Sequence, residues 1–276
     1  MKKAYLTALP YAVYACIFIV APLILIVVYS FTSSGGEFTL EHFQRFFNFD
    51  NPAYMLVLWR SVRTAFVSTV ICLLIGYPMA YILSKISARL RSILAFLFVL
   101  PMWMNFLLRT YAWMTLLEKT GIINTLLGAM GLPALNIMYT EWAVVLGNVY
   151  NFLPFMILPI YTSLTKMDQS LIEAAQDLGA NRRGVFFKVT FPLSLPGVIS
   201  GISMTFMPAV TTFIISRLLG GGQNALIGDI IENQFKVVGD WGFGSALSVI
   251  LMVLILLSMN IMRRYEAENA EGGVLL

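Results

Sequence analysis

Long apolar blocks separated by short polar ones give the chain its rhythm. Six blocks carry at most one charged residue each: Ala8 to Phe31, Val62 to Ser84, Ile93 to Leu117, Trp142 to Leu164, Gly197 to Leu219 and Phe243 to Met262. A hydrocarbon core about 30 Å thick is crossed by roughly 20 helical residues, so every block is long enough to span it. Backbone groups in lipid must be satisfied internally, and a barrel strand would alternate apolar and polar side chains with period two. These blocks do not alternate. The pattern predicts an all-α, polytopic membrane protein with six transmembrane helices in a single domain over 1–276.

Composition sharpens this reading. Hydrophobic residues make up 59% of the 276 and charged residues 12%, against about 25% charged in soluble domains. Lys2 and Lys3 precede the first block as in a secretory signal, but its apolar run exceeds the roughly 7–15 residues of a signal core. It is expected to be a retained span. Cys16 and Cys72 fall inside spans, where a thiol behaves as a small apolar group, and no disulfide or metal cluster is implied. Pro22, Pro78, Pro101, Pro154, Pro159 and Pro208 fall in five of the six spans and offer bend points.

Basic residues set the orientation. With the N-terminus inside, eleven of the eighteen lysines and arginines lie in inner segments: Lys2, Lys3, Lys85, Arg89, Arg91, Lys166, Arg182, Arg183, Lys188, Arg263 and Arg264. Both termini are therefore expected in the cytoplasm. The same clustering accounts for the net charge of +4, so no nucleic-acid partner is implied. Glu37, Glu41, Asp50, Glu118, Glu141, Asp229, Glu232 and Asp240 gather on the outer face, which would attract a cationic solute. In the first outer loop, Thr39 is placed to cap a short interfacial helix with Phe43, Phe46 and Phe47 on one face. His42, the single histidine, is expected to be solvated on the other face.

The most polar stretch, "EAAQDLGANRRGVFFKVTFPLSLPG" at 173–197, lies between spans four and five. Ser170 and Glu173 have the spacing of a capping box, and Gly179 supplies a left-handed stop, so a helix of two to three turns is expected. Leu171, Ala174, Ala175 and Leu178 form a narrow stripe of mostly small side chains. Asn181 is placed to cap a second short helix that ends before Pro192 and Pro196. On spacing alone, this loop suits either a protruding docking element or an amphipathic loop resting on anionic headgroups.

The residues Glu173, Ala174, Ala175, Gly179, Val189 and Pro192 resemble the EAA motif of ABC-importer permeases, with valine for isoleucine and Phe191 for leucine. "VLPMWMNFLLRTYAW" (99–113), "LPFMILPIYTSL" (153–164), "MPAVTTFIISRLLGGG" (207–222) and the segment 227–246 resemble spermidine/putrescine permeases, and "FTLEHFQRFF" resembles their B-type subunit. The resemblance implies a core ABC type-1 transmembrane region at 62–262 and a cytoplasmic coupling-helix loop at 166–192. It also implies a bacterial inner-membrane location, a second homologous permease, a cytoplasmic ATPase dimer and an extracytoplasmic polyamine-binding protein. Glu173, Ala174, Ala175, Asp177, Gly179 and Ala180 would then meet the ATPase. That partner would hold ATP and magnesium, leaving this chain without a cofactor of its own.

Other classes fit less well. The chain has no G-x-x-x-x-G-K-[ST] run, so it carries no such nucleotide site itself. An ion-driven carrier normally buries Asp, Glu or His within its spans, and these six contain none. No nucleophile or metal constellation suggests an enzyme, and a channel has no need of an ATPase-docking helix. An ABC importer for another small solute is the alternative. For the solute path, Trp103, Asn105, Arg109 and Tyr111 are candidates in span three, with Arg109 expected to pair with a carboxylate or set orientation. Asp229, Glu232, Asp240 and Trp241 are candidates at the outer mouth, where carboxylates and aromatic faces suit a polyammonium.

Overall fold

The computed structural model describes residues 2–33 and 35–272. Span one comprises α1 (Lys2–Ala15), a π-helical turn (Cys16–Val20) and α2 (Ala21–Ser30). The short helix α3 (Glu41–Phe46) precedes span two, α4 (Ala53–Lys85). Then come α5 (Ala88–Val99), a 3-10 turn (Leu100–Trp103), α6 (Phe106–Leu117) and α7 (Ile122–Ala129). Span four is α8 (Glu141–Lys166), followed by α9 (Gln169–Asp177). Span five joins α10 (Arg182–Val185), a π turn (Phe186–Thr190) and α11 (Phe191–Thr211). Two short helices, α12 (Ile214–Leu219) and α13 (Ile227–Asn233), lead into a π turn (Gln234–Val238) and span six, α14 (Trp241–Gly272).

Among the described residues, five helices are long and apolar enough to cross a membrane, or six if one bent pair counts as a single span. That pair corrects the expectation of a straight third span. Arg89–Trp103 and Phe106–Ala129 meet at 95°, because Pro101 tightens the chain into a 3-10 turn and Asn105 starts a new helix. The fifth span also differs. It starts at Arg182 instead of Gly197, since Pro192 does not end the preceding helix: a π turn just before it bonds Phe191 N–H to Phe186 O, five residues back. The same device precedes Pro22 in span one. Span five then stops at Thr211, where Thr212 turns extended, so residues 214–219 form a separate helix.

The bundle centre is α4, α8 and α11. Lipid tails are as apolar as leucine, so burying large apolar groups between spans gains little and close backbone approach decides packing. The interior face of α4 follows that rule: Ser61, Thr64, Ala65, Ser68, Thr69, Cys72, Gly76 and Ala80 are buried. Leu56, Trp59, Phe66, Leu74 and Ile82 point outward. Ser61, Ser68 and Thr69 return their hydroxyl protons to carbonyls one turn back at 2.8–2.9 Å, which leaves no donor stranded. Between α8 and α11, Gly197 and Gly201 allow the same approach. A Cβ at Gly197 would lie 2.7 Å from Pro159 O, and one at Gly201 would lie 2.8 Å from Met156 Sδ.

Span one packs on α14 and shows its apolar side chains outward. The helix α3 is less interfacial than expected, because Phe46 is buried in a core cluster with Ala65, Phe243 and Leu247. Thr39 does accept the Glu41 N–H at 3.1 Å, though Leu40 occupies the cap position. His42 is not freely solvated. Its ring lies over Gly242, with Nε2 3.2 Å from Thr32 O.

Candidate functional site

The protruding element forms at α9, though not through the expected capping box. Asp168, not Ser170, is the N-cap, and its carboxylate accepts the Ser170 N–H at 2.9 Å. That hydrogen bond holds the Asp168 carboxyl below its ordinary value of 3.8. Freed from capping, Glu173 stands exposed. At the far end, Ala180 N–H reaches Ala175 O at 3.0 Å and Gly179 N–H reaches Gln176 O at 2.8 Å, the paired bonds of a Schellman stop. Gly179 takes φ +82°, as its position predicts.

None of the residues in α9 is buried. Leu178 is 90% exposed and Leu171 48%, so the ends of the apolar stripe are uncovered among the described residues. Glu173, Ala174, Asp177 and Gly179 are exposed, while Ala175 and Ala180 are half-buried. Ile172 turns inward and lines a small cavity with Tyr81 and Leu164 at the ends of spans two and four. Immediately after the stop, Asn181 Oδ1 accepts Gly184 N–H at 2.8 Å and begins span five, as its capping position requires. The exposed helix is therefore linked to span five by four residues, Leu178 to Asn181, which form a short, hydrogen-bonded corner.

The outer candidates do not form one site. Asn105 caps α6, accepting Leu107 N–H at 2.9 Å. Arg109 is buried and donates from Nη1 to Pro101 O at 2.7 Å, so it pins the bend instead of pairing with a carboxylate. Its guanidinium lies 5.7 Å from the centroid of Tyr150 and 5.8 Å from that of Phe106. Tyr111, two residues on, is exposed on the other side of the helix, and Trp103 is 78% exposed beside Phe96.

Near the last two spans, three acidic candidates occupy three environments. Asp229 is buried, accepting from Ser216 Oγ at 2.5 Å and Leu226 N at 2.8 Å, and burial pushes its carboxyl above the ordinary carboxylate range. Glu232 is clamped by Arg217 at 2.5 Å and Lys236 at 2.9 Å. Asp240 pairs with Arg45 at 3.0 Å and caps the start of α14 through Phe243 N–H at 2.9 Å. Only Asp240 and Trp241 share an open cleft, of about 760 Å³, with Tyr29, Glu41, His42 and Arg45. A fourth acid, Glu141, is engaged by Arg60 and Arg63. Glu141, Glu232 and Asp240 are thus ion-paired and Asp229 is buried, whereas Glu37, Glu41, Asp50 and Glu118 form no ion pair among the described residues, so about half of the expected acidic face stays free to attract a cation.

Residues 72–268 match the family described as binding-protein-dependent transport system inner membrane component. The chain is 43% identical over 248 residues to the spermidine/putrescine transport system permease protein PotB of Haemophilus influenzae, covering 87% of this chain and 86% of the relative. It is 40% identical over 220 residues to the protein of the same name from Escherichia coli, covering 79% of each. A bacterial ABC transporter involved in the import of the acidic polysaccharide alginate superposes with a TM-score of 0.79 over 95% of both chains. At 17% identity, that likeness is one of fold.

Proposed function

This chain belongs to the family of binding-protein-dependent transport system inner membrane components, and from that premise we propose that the solute it passes into the cytoplasm is a polyamine, spermidine or putrescine. As a family member it is the membrane-spanning permease of an ATP-driven ABC importer in the inner membrane. It works with a binding protein, and ATP hydrolysis belongs to a separate subunit, so this chain is not an enzyme. The observation that carries the polyamine reading is the 43% identity, along most of both chains, to a spermidine/putrescine permease.

In our reading both termini lie in the cytoplasm, and the α9 end of the bundle faces a dimer of the ATPase. ATP and magnesium are held there and not on this chain. Glu173, Ala174, Ala175, Asp177, Gly179 and Ala180 form the contact, with the uncovered Leu178 beside them. ATP binding draws the two ATPase copies together, and α9 passes that movement through the Asn181 corner into span five. A second homologous permease completes the path. At the opposite end, the cleft holding Glu41, Asp240, Tyr29 and Trp241 receives the amine from the binding protein, using carboxylate charge and aromatic faces worth roughly 0.5–2 kcal/mol each.

The deciding measurement is uptake of labelled spermidine and putrescine into proteoliposomes containing the assembled importer. Uptake should require both ATP and the binding protein, and unlabelled polyamine should compete. Uptake driven by an ion gradient without ATP, or ATP-driven uptake insensitive to polyamine competition, would sink the proposal.

A further inference from the structure

At the root of α9 lies a cavity of about 100 Å³ that transport leaves unused. Its walls come from four parts of the fold: Tyr81, Ser84 and Lys85 at the end of span two, Arg91 of α5, Thr165 and Gln169 at the junction of span four with α9, and Thr190 in span five. Two cations line it and no carboxylate does. The nearest carboxylate along the chain, Asp168, is committed to capping α9.

The donors in this cavity are under-used. Arg91 Nη2 donates to Ser84 O at 3.2 Å and Ile86 O at 3.0 Å, closing the last turn of span two. Its buried Nε has no acceptor among the described residues. Lys85 forms no ion pair with the described residues; its Nζ sits 5.7 Å from the centroid of Tyr81. The Tyr81 hydroxyl, the Gln169 amide and the Thr190 hydroxyl also make no hydrogen bond among the described residues. Thr190 as a whole residue is 4% exposed, while Lys85 and Gln169 reach solvent. Five donors from three spans and the α9 root therefore converge on one small space.

A space this size holds about three waters or one tetrahedral oxyanion. Water would serve the Nε but bring no negative charge to the two cations, one of them the exposed Lys85, whereas a phosphate group matches both the charge and the donors. We propose that this cavity binds a phosphate group, from inorganic phosphate or from an anionic phospholipid headgroup of the adjoining leaflet. Such a group would fasten the α9 root to spans two and five. The proposal does not depend on which solute is carried.

The test uses the full chain purified in the complex it forms. Inorganic phosphate is titrated in detergent at constant ionic strength with melting temperature as readout. In parallel, the complex is placed in nanodiscs of phosphatidylglycerol or of phosphatidylcholine, and retained lipid is counted by native mass spectrometry. A saturable rise with inorganic phosphate identifies the free anion, and stoichiometric retention of phosphatidylglycerol alone identifies the headgroup. In either arm Lys85→Gln and Thr190→Val should each weaken binding about tenfold, the scale of one lost charge-assisted hydrogen bond. Arg182→Gln, on an exposed side chain at the same end of the bundle, should leave it unchanged. Saturable binding of neither probe, or equal weakening by Arg182→Gln, overturns the proposal.

Discussion

Gly179 combines a left-handed backbone with empty surroundings: at φ +82° a Cβ would find nothing within 4 Å. Substitution there carries only the backbone cost of about 1 kcal/mol, and the chain should still fold. Gly179→Ala and Gly179→Asn separate that cost from a contact with the ATPase, because asparagine tolerates the left-handed region and alanine does not. If the partner needs the space, ATP-dependent uptake falls further in the asparagine variant than in the alanine variant, while both keep melting temperatures near the parent's. Recovery of uptake in the asparagine variant would mean that only the backbone turn matters. Gly201 behaves oppositely. With Met156 Sδ 2.8 Å and Met156 O 3.1 Å from its missing Cβ, Gly201→Val should destabilise the α8–α11 crossing by about 1–3 kcal/mol, seen as a lower melting temperature in detergent.

At the scale of elements, α9 is a helix with strong ends and an uncovered middle. Asp168→Ala removes the cap and should speed amide exchange across Ser170 to Glu173, whereas Asp168→Asn, which keeps an accepting oxygen, should restore protection. Because the folded-state carboxyl titrates below its ordinary value, its contribution is present in full above pH 3.8 and fades as the pH falls through the lowered value. Exchange rates that do not respond to Asp168→Ala would show that packing through Ile172, not the cap, holds the first turn. The bent third span follows the same logic. Pro101 frees the carbonyl geometry, Asn105 restarts the helix and Arg109 ties the two pieces together, so three polar or constrained residues define one corner.

For the whole molecule, the two ends of the bundle are electrostatically unlike. At the α9 end, Arg182, Arg183 and Lys188 are exposed without ion-pair partners among the described residues, while at the other end every close ion pair joins distant or adjacent outer segments. An exposed pair such as Arg45 with Asp240 contributes about 0–1 kcal/mol. Asp240→Asn should therefore shift the melting temperature little. A large drop in polyamine uptake by that variant, with a small thermal shift, would assign Asp240 to the solute path; unchanged uptake would leave it as a surface pair and helix cap.

Hydrophobic run length determined the all-α membrane class and located the candidate crossings, because lipid forces every backbone group into a helix and leaves block length as the readable variable; whether they number five or six turns on the bent pair. The α9 stop at Gly179 and the start at Asn181 were equally legible, since both are local backbone requirements. That this helix would meet an ATPase rested on the resemblance to the EAA motif, not on a local backbone requirement. Tertiary structure decided what local pattern cannot carry. The cap moved to Asp168, a π turn carried span five past Pro192, and Arg109 found a carbonyl eight residues back. The outer acids Glu141 and Asp240 met Arg60, Arg63 and Arg45 only when distant segments came together, and Glu232 gained Arg217 beside its local partner Lys236. The interior stripe of α4, from Ser61 to Ala80, and the Gly197/Gly201 pair gave no signal in the sequence that set them apart from other small residues in the spans. Their role became plain only with α8 and α11 against them, because between helices in lipid it is fit, and not hydrophobicity, that chooses the inner face.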